Sequence, residues 1–222
     1  MCFSATANFV GSGVLGTLGV VTITKVKHRR ELLFGCIPLL FAIHQFTEGF
    51  VWLGLDGTLS TIVAHDAGAA FMLYAQGLLP FLLPLSVLLF EPTRSRRRFM
   101  LPFVIVGGGL ALYVLWALAA FPTQVAIEQN SISYINPATH YRVLAVLYVM
   151  VTCGPLFFSR IRMMVLFGAA NLIILILTML LREYAFTSVW CAYAAVASLM
   201  IWAGFRSTDA ERPYSYTKDL RV

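Results

Sequence analysis

The sequence predicts an all-α fold: a seven-transmembrane helix bundle with its N-terminus outside and its C-terminus in the cytoplasm. Three observations carry that expectation. Seven long apolar runs fill residues 9–23, 32–55, 69–90, 99–120, 143–158, 163–181 and 188–205. Of the 222 residues, 59% are hydrophobic and 12% charged, with a mean hydropathy of +0.82, which leaves too little polar surface for a water-soluble chain of this length. All but two of the sixteen Lys and Arg residues fall into four clusters at alternate connections and the tail: Lys25, Lys27, Arg29 and Arg30; Arg94, Arg96, Arg97 and Arg98; Arg160 and Arg162; Arg206, Arg212, Lys218 and Arg221. Positive charge gathers on the cytoplasmic side of a membrane. The opposite connections hold only Arg142 and Arg182, with Asp56, Asp66, Glu128 and Glu183.

A span needs about 20 apolar residues to cross a hydrocarbon core of roughly 30 Å. The first run is the weakest, with Gly11, Gly13, Gly16 and Gly19. Its Gly-Ser-Gly-Val-Leu-Gly matches G-x-G-x-x-G, but no βαβ unit or following acidic residue accompanies it, so no dinucleotide is expected. The small residues are better suited to close approach of a neighbouring helix, and Gly107 to Gly109 in the fourth run serve the same end. Pro80 and Pro84 in the third run and Pro155 in the fifth each free a backbone carbonyl, which neighbours in a bundle satisfy. The longest outer connection, residues 121–142, is polar and is expected to form an ordered outer loop or lid. Residues 1–205 then form one transmembrane domain and residues 206–222 a polar cytoplasmic tail. The net charge of +6 is explained by the membrane face on which it is concentrated, and no nucleic-acid partner is expected. The first residues lack a positive n-region, so a retained N-terminus is expected.

The second run carries the sharpest chemical feature. His44 and Glu48 stand at i and i+4, a spacing that places both on one helical face. With the span ending near Leu55, a rise of 1.5 Å per residue puts Glu48 about 10 Å and His44 about 16 Å below the outer surface. An ionisable group at such depth costs roughly 2.5 kcal/mol or more and marks a functional site by default. The plain alternative is a neutral pair that only ties helices together.

Further polar groups fall at the same level. Cys2 and Ser4 precede the first span, His65 and Asp66 the third, and Tyr74 and Gln76 lie in its outer half. Trp52 closes the second span, His140 and Tyr141 open the fifth, and Trp190, Cys191 and Tyr193 begin the seventh. Thiolate, imidazole and carboxylate are zinc ligands, so Cys2, His44, Glu48, His65 and Asp66 form a candidate set for zinc or another divalent metal with an open position for water. Without metal, His44 and Glu48 would act as base and orienting carboxylate for a nucleophile such as Ser4. Tyr74, Gln76, Trp52, His140 and Trp190 are candidates for binding substrate. No paired-Cys or H-E-x-x-H signature is present, and Cys36 and Cys153 sit inside apolar runs as small hydrophobes.

Met1-Cys2-Phe3-Ser4-Ala5-Thr6-Ala7, with His44-Gln45, Glu48-Gly49 and Trp52, resembles an uncharacterised bacterial family of small polytopic membrane proteins that begin in this way. That resemblance implies a multi-pass protein of the bacterial inner membrane and hands over no activity. His44 and Asp66 are similar to two positions of the alkaline ceramidase-like seven-span hydrolases, although the last run has no histidine. Lysines occur only at positions 25, 27 and 218, so a retinal Schiff base in the last span is excluded. The expectation is an outward-opening polar pocket around His44 and Glu48. It would serve a hydrolase or group transferase, metal-assisted or not, acting on a lipid or lipid-linked substrate. The alternative is a transporter, channel or receptor for a small ligand or proton, and a purely structural subunit is the third reading.

Overall fold

The computed structural model describes residues 4–128, 131–139, 141–181 and 186–206, with side chains described throughout except at 177–181, 186–192, 194 and 195. Seven helical rods follow the seven apolar runs. The first is α1 (Ala5–Ile23). The second is α2 (Arg29–Gly35) continued by α3 (Ile37–Leu55), with the break at Cys36 ahead of Pro38. The third joins α4 (Thr61–Met72) to α5 (Leu79–Phe90) through a π-helical turn, Leu73–Leu78. Then come α6 (Arg94–Ala120), α7 (Arg142–Phe158), α8 (Arg162–Leu181) and α9 (Phe186–Arg206). Among the residues whose side chains are described, four rods, Ala5–Ile23, Arg29–Leu55, Thr61–Phe90 and Arg94–Ala120, are long and apolar enough to cross a membrane, and Arg142–Phe158, Arg162–Ile176 and Val196–Arg206 are apolar stretches within α7, α8 and α9.

Two features differ from the expectation. The fold is not purely α: between α6 and α7 the chain forms an antiparallel hairpin, β1 (Gln124–Glu128) and β2 (Ser131–Ile135), with Val125 opposite Tyr134 and Ile127 opposite Ile132. The third rod also begins at Thr61 instead of residue 69. His65 and Asp66 therefore stand on a helix and not in a loop before it, because polar side chains on an exposed face do not stop a helix.

The π turn has an identifiable cause. Pro80 has no N–H to donate, and its ring would clash with the carbonyl four residues back, that of Gln76. The backbone widens ahead of it, and Leu79 N–H reaches back five residues to the Tyr74 carbonyl. Such turns concentrate at functional sites.

Close backbone approach sets how the rods pack. A Cβ on Gly19 would stand 2.7 Å from the backbone nitrogen of Leu39, and one on Gly107 would overlap the carbonyl of Pro80. These glycines let α1 settle on α3 and α6 on the third rod. Across the α1–α3 seam, Ser12 Oγ donates to Ala42 O (2.8 Å) and Gln45 Nε2 donates to Asn8 Oδ1 (2.5 Å), both amides being buried.

The end of the bundle that carries the basic turns packs four phenylalanines together and buries two carboxylates, Glu31 and Glu91. Phe34, Phe90, Phe167 and Phe205, from α2, α5, α8 and α9, pack with Phe34 centroids 5.7, 5.8 and 6.5 Å from the other three. At this end the α5–α6 turn is latched to the α7–α8 turn. Buried Glu91 accepts from Ser159 Oγ (2.9 Å) and Arg160 N–H (3.0 Å) through Oε2, and from Thr93 N–H (3.2 Å) through Oε1. Arg97 Nε donates to the Glu91 carbonyl (2.6 Å), and Arg96 Nη1 to that of Phe158 (3.0 Å).

Candidate functional site

The opposite end of the bundle, under the hairpin, is where polar groups enter the interior. The i, i+4, i+8 spacing of His44, Glu48 and Trp52 puts all three on one stripe of α3, and all three are buried. The imidazole of His44 lies nearly parallel to the Phe71 ring, with centroids 3.9 Å apart, and 4.5 Å from the Tyr74 ring. Phe71 in turn stacks on Tyr134 of β2 at 4.5 Å. A column of rings thus runs from the hairpin through α4 to His44. Trp52 packs in the same region with Val51 and Ile132, beside Ala67, Val125 and Tyr134.

The hairpin is held over this region from both sides. A Cβ on Gly68 of α4 would come within 2.7 Å of Val125 Cγ2, so β1 lies directly on α4. At the hairpin base, Asn136 Nδ2 donates to Phe121 O (3.3 Å), Ala117 O (3.4 Å) and Thr123 Oγ1 (3.2 Å), and its Oδ1 accepts from Ala138 N–H (3.0 Å). One amide thereby anchors the hairpin base to the end of α6 and gives the Phe121 carbonyl a partner. Tyr113 Oη adds a bond to the Ala138 carbonyl (2.9 Å).

Three buried polar atoms of the site, His44 Nδ1, Trp52 Nε1 and Tyr74 Oη, make no hydrogen bond among the described residues. Tyr74, like Tyr148, packs against the core that contains Cys153 and Tyr193. There, Asn171 Nδ2 donates to Cys153 Sγ (3.3 Å), and Thr152 Oγ1 bonds back to the Tyr148 carbonyl (2.8 Å). Polar groups therefore continue from His44 into the middle of the bundle and give way to the four phenylalanines at the basic end.

The expected site residues divide into those the fold brings together and those it does not. His44, Glu48, Trp52 and Tyr74 share one region. Gln76 lies half-buried in the π turn. Ser4 is exposed and caps α1, its Oγ accepting from Ala7 N–H (3.2 Å). His65 and Asp66 face outward on α4, 57% and 74% exposed and 3.3 Å from each other. Cys2 and His140 lie outside the described residues, as do the side chains of Trp190 and Cys191. Among the described residues, no three His, Cys, Asp or Glu side chains come together as a metal cluster. Outside the rods, Asp56 ends α3, and Thr58 donates to its carboxyl (2.9 Å), which holds that group below the usual carboxylate range.

Phe71 and Tyr134 are not legible in the sequence as parts of the site. Tyr134 shows only in the alternation of Ser131-Ile132-Ser133-Tyr134-Ile135. Phe71 gave no signal among seventeen phenylalanines.

Fold and site together define a helical protein with rods long enough to cross a membrane and an occluded polar face beneath a β-hairpin. The chain belongs to a family of unknown function (DUF6629), whose profile matches residues 1–215. No curated protein and no solved structure matches it.

Proposed function

We propose that the chain is a seven-span membrane protein, N-terminus outside and C-terminus cytoplasmic, that holds a small polar ligand in an occluded site on the His44–Glu48 face. The alternation of basic and non-basic connections supports the orientation. It puts the hairpin and the ring column in the outer half and the phenylalanine cluster in the inner half. The observation that carries the binding reading is the set of His44 Nδ1, Trp52 Nε1 and Tyr74 Oη, buried and without hydrogen bonds among the described residues. Each such atom costs about 1–3 kcal/mol when left unmade. A ligand with both donor and acceptor groups offsets that cost. Its release would require the hairpin to lift, since Tyr134 covers Phe71 and Phe71 covers His44.

A metal-assisted hydrolase or transferase acting on an outer-leaflet lipid would use the same two α3 residues, with Cys2 as a further ligand, and the same experiment separates it. Thermal unfolding of the detergent-purified protein is followed against amines, amino acids, carboxylates and divalent metals, for wild type and for His44→Ala and Glu48→Gln. A compound that raises the wild-type midpoint but neither variant's supports the binding site. Stoichiometric zinc lost in both variants moves the reading to the hydrolase. Variants that are merely less stable, with no compound or metal acting on the wild type, would reduce the pair to a packing element.

A further inference from the structure

The latch at the basic end ties together two arginine-bearing turns: the α5–α6 turn, followed by Arg94, Arg96, Arg97 and Arg98 in the first turns of α6, and the α7–α8 turn with Arg160 and Arg162. The proximity of the two turns follows from the bonds themselves. Arg96 Nη1 holds the Phe158 carbonyl, and Glu91 holds the Arg160 N–H. Of the six, only Arg97 is partly buried, and the others are exposed. One carboxylate, Glu91, stands among them, and it is occupied by Ser159, Arg160 and Thr93.

This arrangement runs against helix electrostatics. The positive ends of the α6 and α8 dipoles favour acidic side chains, yet neither first turn contains one and arginines stand there instead. The α6 N-cap, Thr93, makes no side-chain capping bond. Arg97 Nη2 is wholly buried and makes no hydrogen bond among the described residues. An anion with several acceptor oxygens would meet the spare guanidinium donors, the first-turn N–H groups and the uncompensated charge together.

We propose that the arginines of the α5–α6 and α7–α8 turns form a binding site for the phosphate of an anionic lipid headgroup. The lipid source follows from position, because the cluster stands where apolar rods end. This inference rests on the membrane reading and its orientation, and it is independent of any ligand at His44. Wide exposure of five arginines suits a headgroup arriving from the bilayer surface, while Arg97 anchors it at the protein wall.

The test is thermal unfolding in dodecyl maltoside with phosphatidylglycerol, with phosphatidylcholine, and with inorganic phosphate. Phosphatidylglycerol should raise the wild-type midpoint saturably, and phosphatidylcholine should not. In Arg94→Gln/Arg98→Gln, which alters only exposed side chains, the half-effect concentration should rise about tenfold. Lys25→Gln/Arg29→Gln, in the other inner basic cluster of this part of the chain, should leave it unchanged. Equal loss in both double variants would mean diffuse charge attraction and would overturn the site. So would no response of the wild type, or an equal response to phosphatidylcholine. An equal shift with inorganic phosphate would replace the lipid with a free anion. Failure of the membrane reading is seen separately, as protein that fractionates away from membranes before any detergent is added.

Discussion

The imidazole of His44 lies 3.9 Å from the Phe71 ring with the two planes 18° apart, so the ionisable group buried in α3 is roofed by an apolar ring from the neighbouring rod. Phe71 is covered in its turn by Tyr134. Access to His44 is thereby tied to the position of a hairpin far away in sequence. Tyr134→Ala should cost about 1 kcal/mol of stacking and raise the rate at which diethylpyrocarbonate modifies His44 several-fold, read by peptide mass spectrometry. An unchanged rate would mean that the hairpin does not guard the site.

The hairpin depends on Asn136. Asn136→Ala removes the donor to Phe121, Ala117 and Thr123 and the acceptor for Ala138. Limited proteolysis within residues 121–138 should accelerate, because a segment stripped of its anchoring bonds opens more often. The helical rods should remain intact by circular dichroism, and cleavage at the wild-type rate would show that the strands hold themselves in place.

Helix spacing rests on particular glycines. Gly19→Leu and Gly107→Val put side chains where the Leu39 and Pro80 backbones already stand, and each should destabilise the protein by about 2 kcal/mol or more. Gly13→Ala meets nothing within 4 Å and should be near neutral. Unfolding midpoints in a detergent–SDS titration measure all three, and a Gly13 effect as large as the others would contradict the packing.

Glu91 holds two turns together with a carboxylate that accepts three bonds. Glu91→Ala strands those donors in a buried place and should cost about 3 kcal/mol, whereas Ser159→Ala, removing one donor to Glu91 and the acceptor of Ile161 N–H, should cost about 1–2 kcal/mol. The same titration separates them. Equal effects would mean that the backbone N–H bonds from Arg160 and Thr93 contribute nothing to the latch.

The rods coincide with the apolar runs because hydrophobic length is a local property, written in consecutive residues. For the same reason the third apolar run reaches back only to residue 69, while the rod begins at Thr61. Thr61 to Gly68 includes His65 and Asp66, and polarity hides a helix whose exposed face is all that those residues report. Five-residue strands carry little periodicity, so residues 121–142 read in sequence as an ordered outer loop or lid, and the hairpin shows only in the fold.

What the sequence by itself determined was the helical character, the placement of the rods, the alternation of charge, and the stripe of α3 that carries His44, Glu48 and Trp52. All of these depend on spacing along one chain segment, where 3.6 residues per turn is sufficient to locate a face. Only the tertiary structure decided which partners that face meets. Phe71 reaches His44, with Tyr134 stacked behind it, because α4 and the hairpin pack there, and His65 and Asp66 point away because they lie on the exposed face of α4. Two arginine-bearing turns distant in sequence adjoin because Glu91 ties them together. Such pairings depend on how rods approach and rotate about one another, which is set by close backbone contacts at glycines and by interhelical hydrogen bonds, and no periodicity within one segment encodes them.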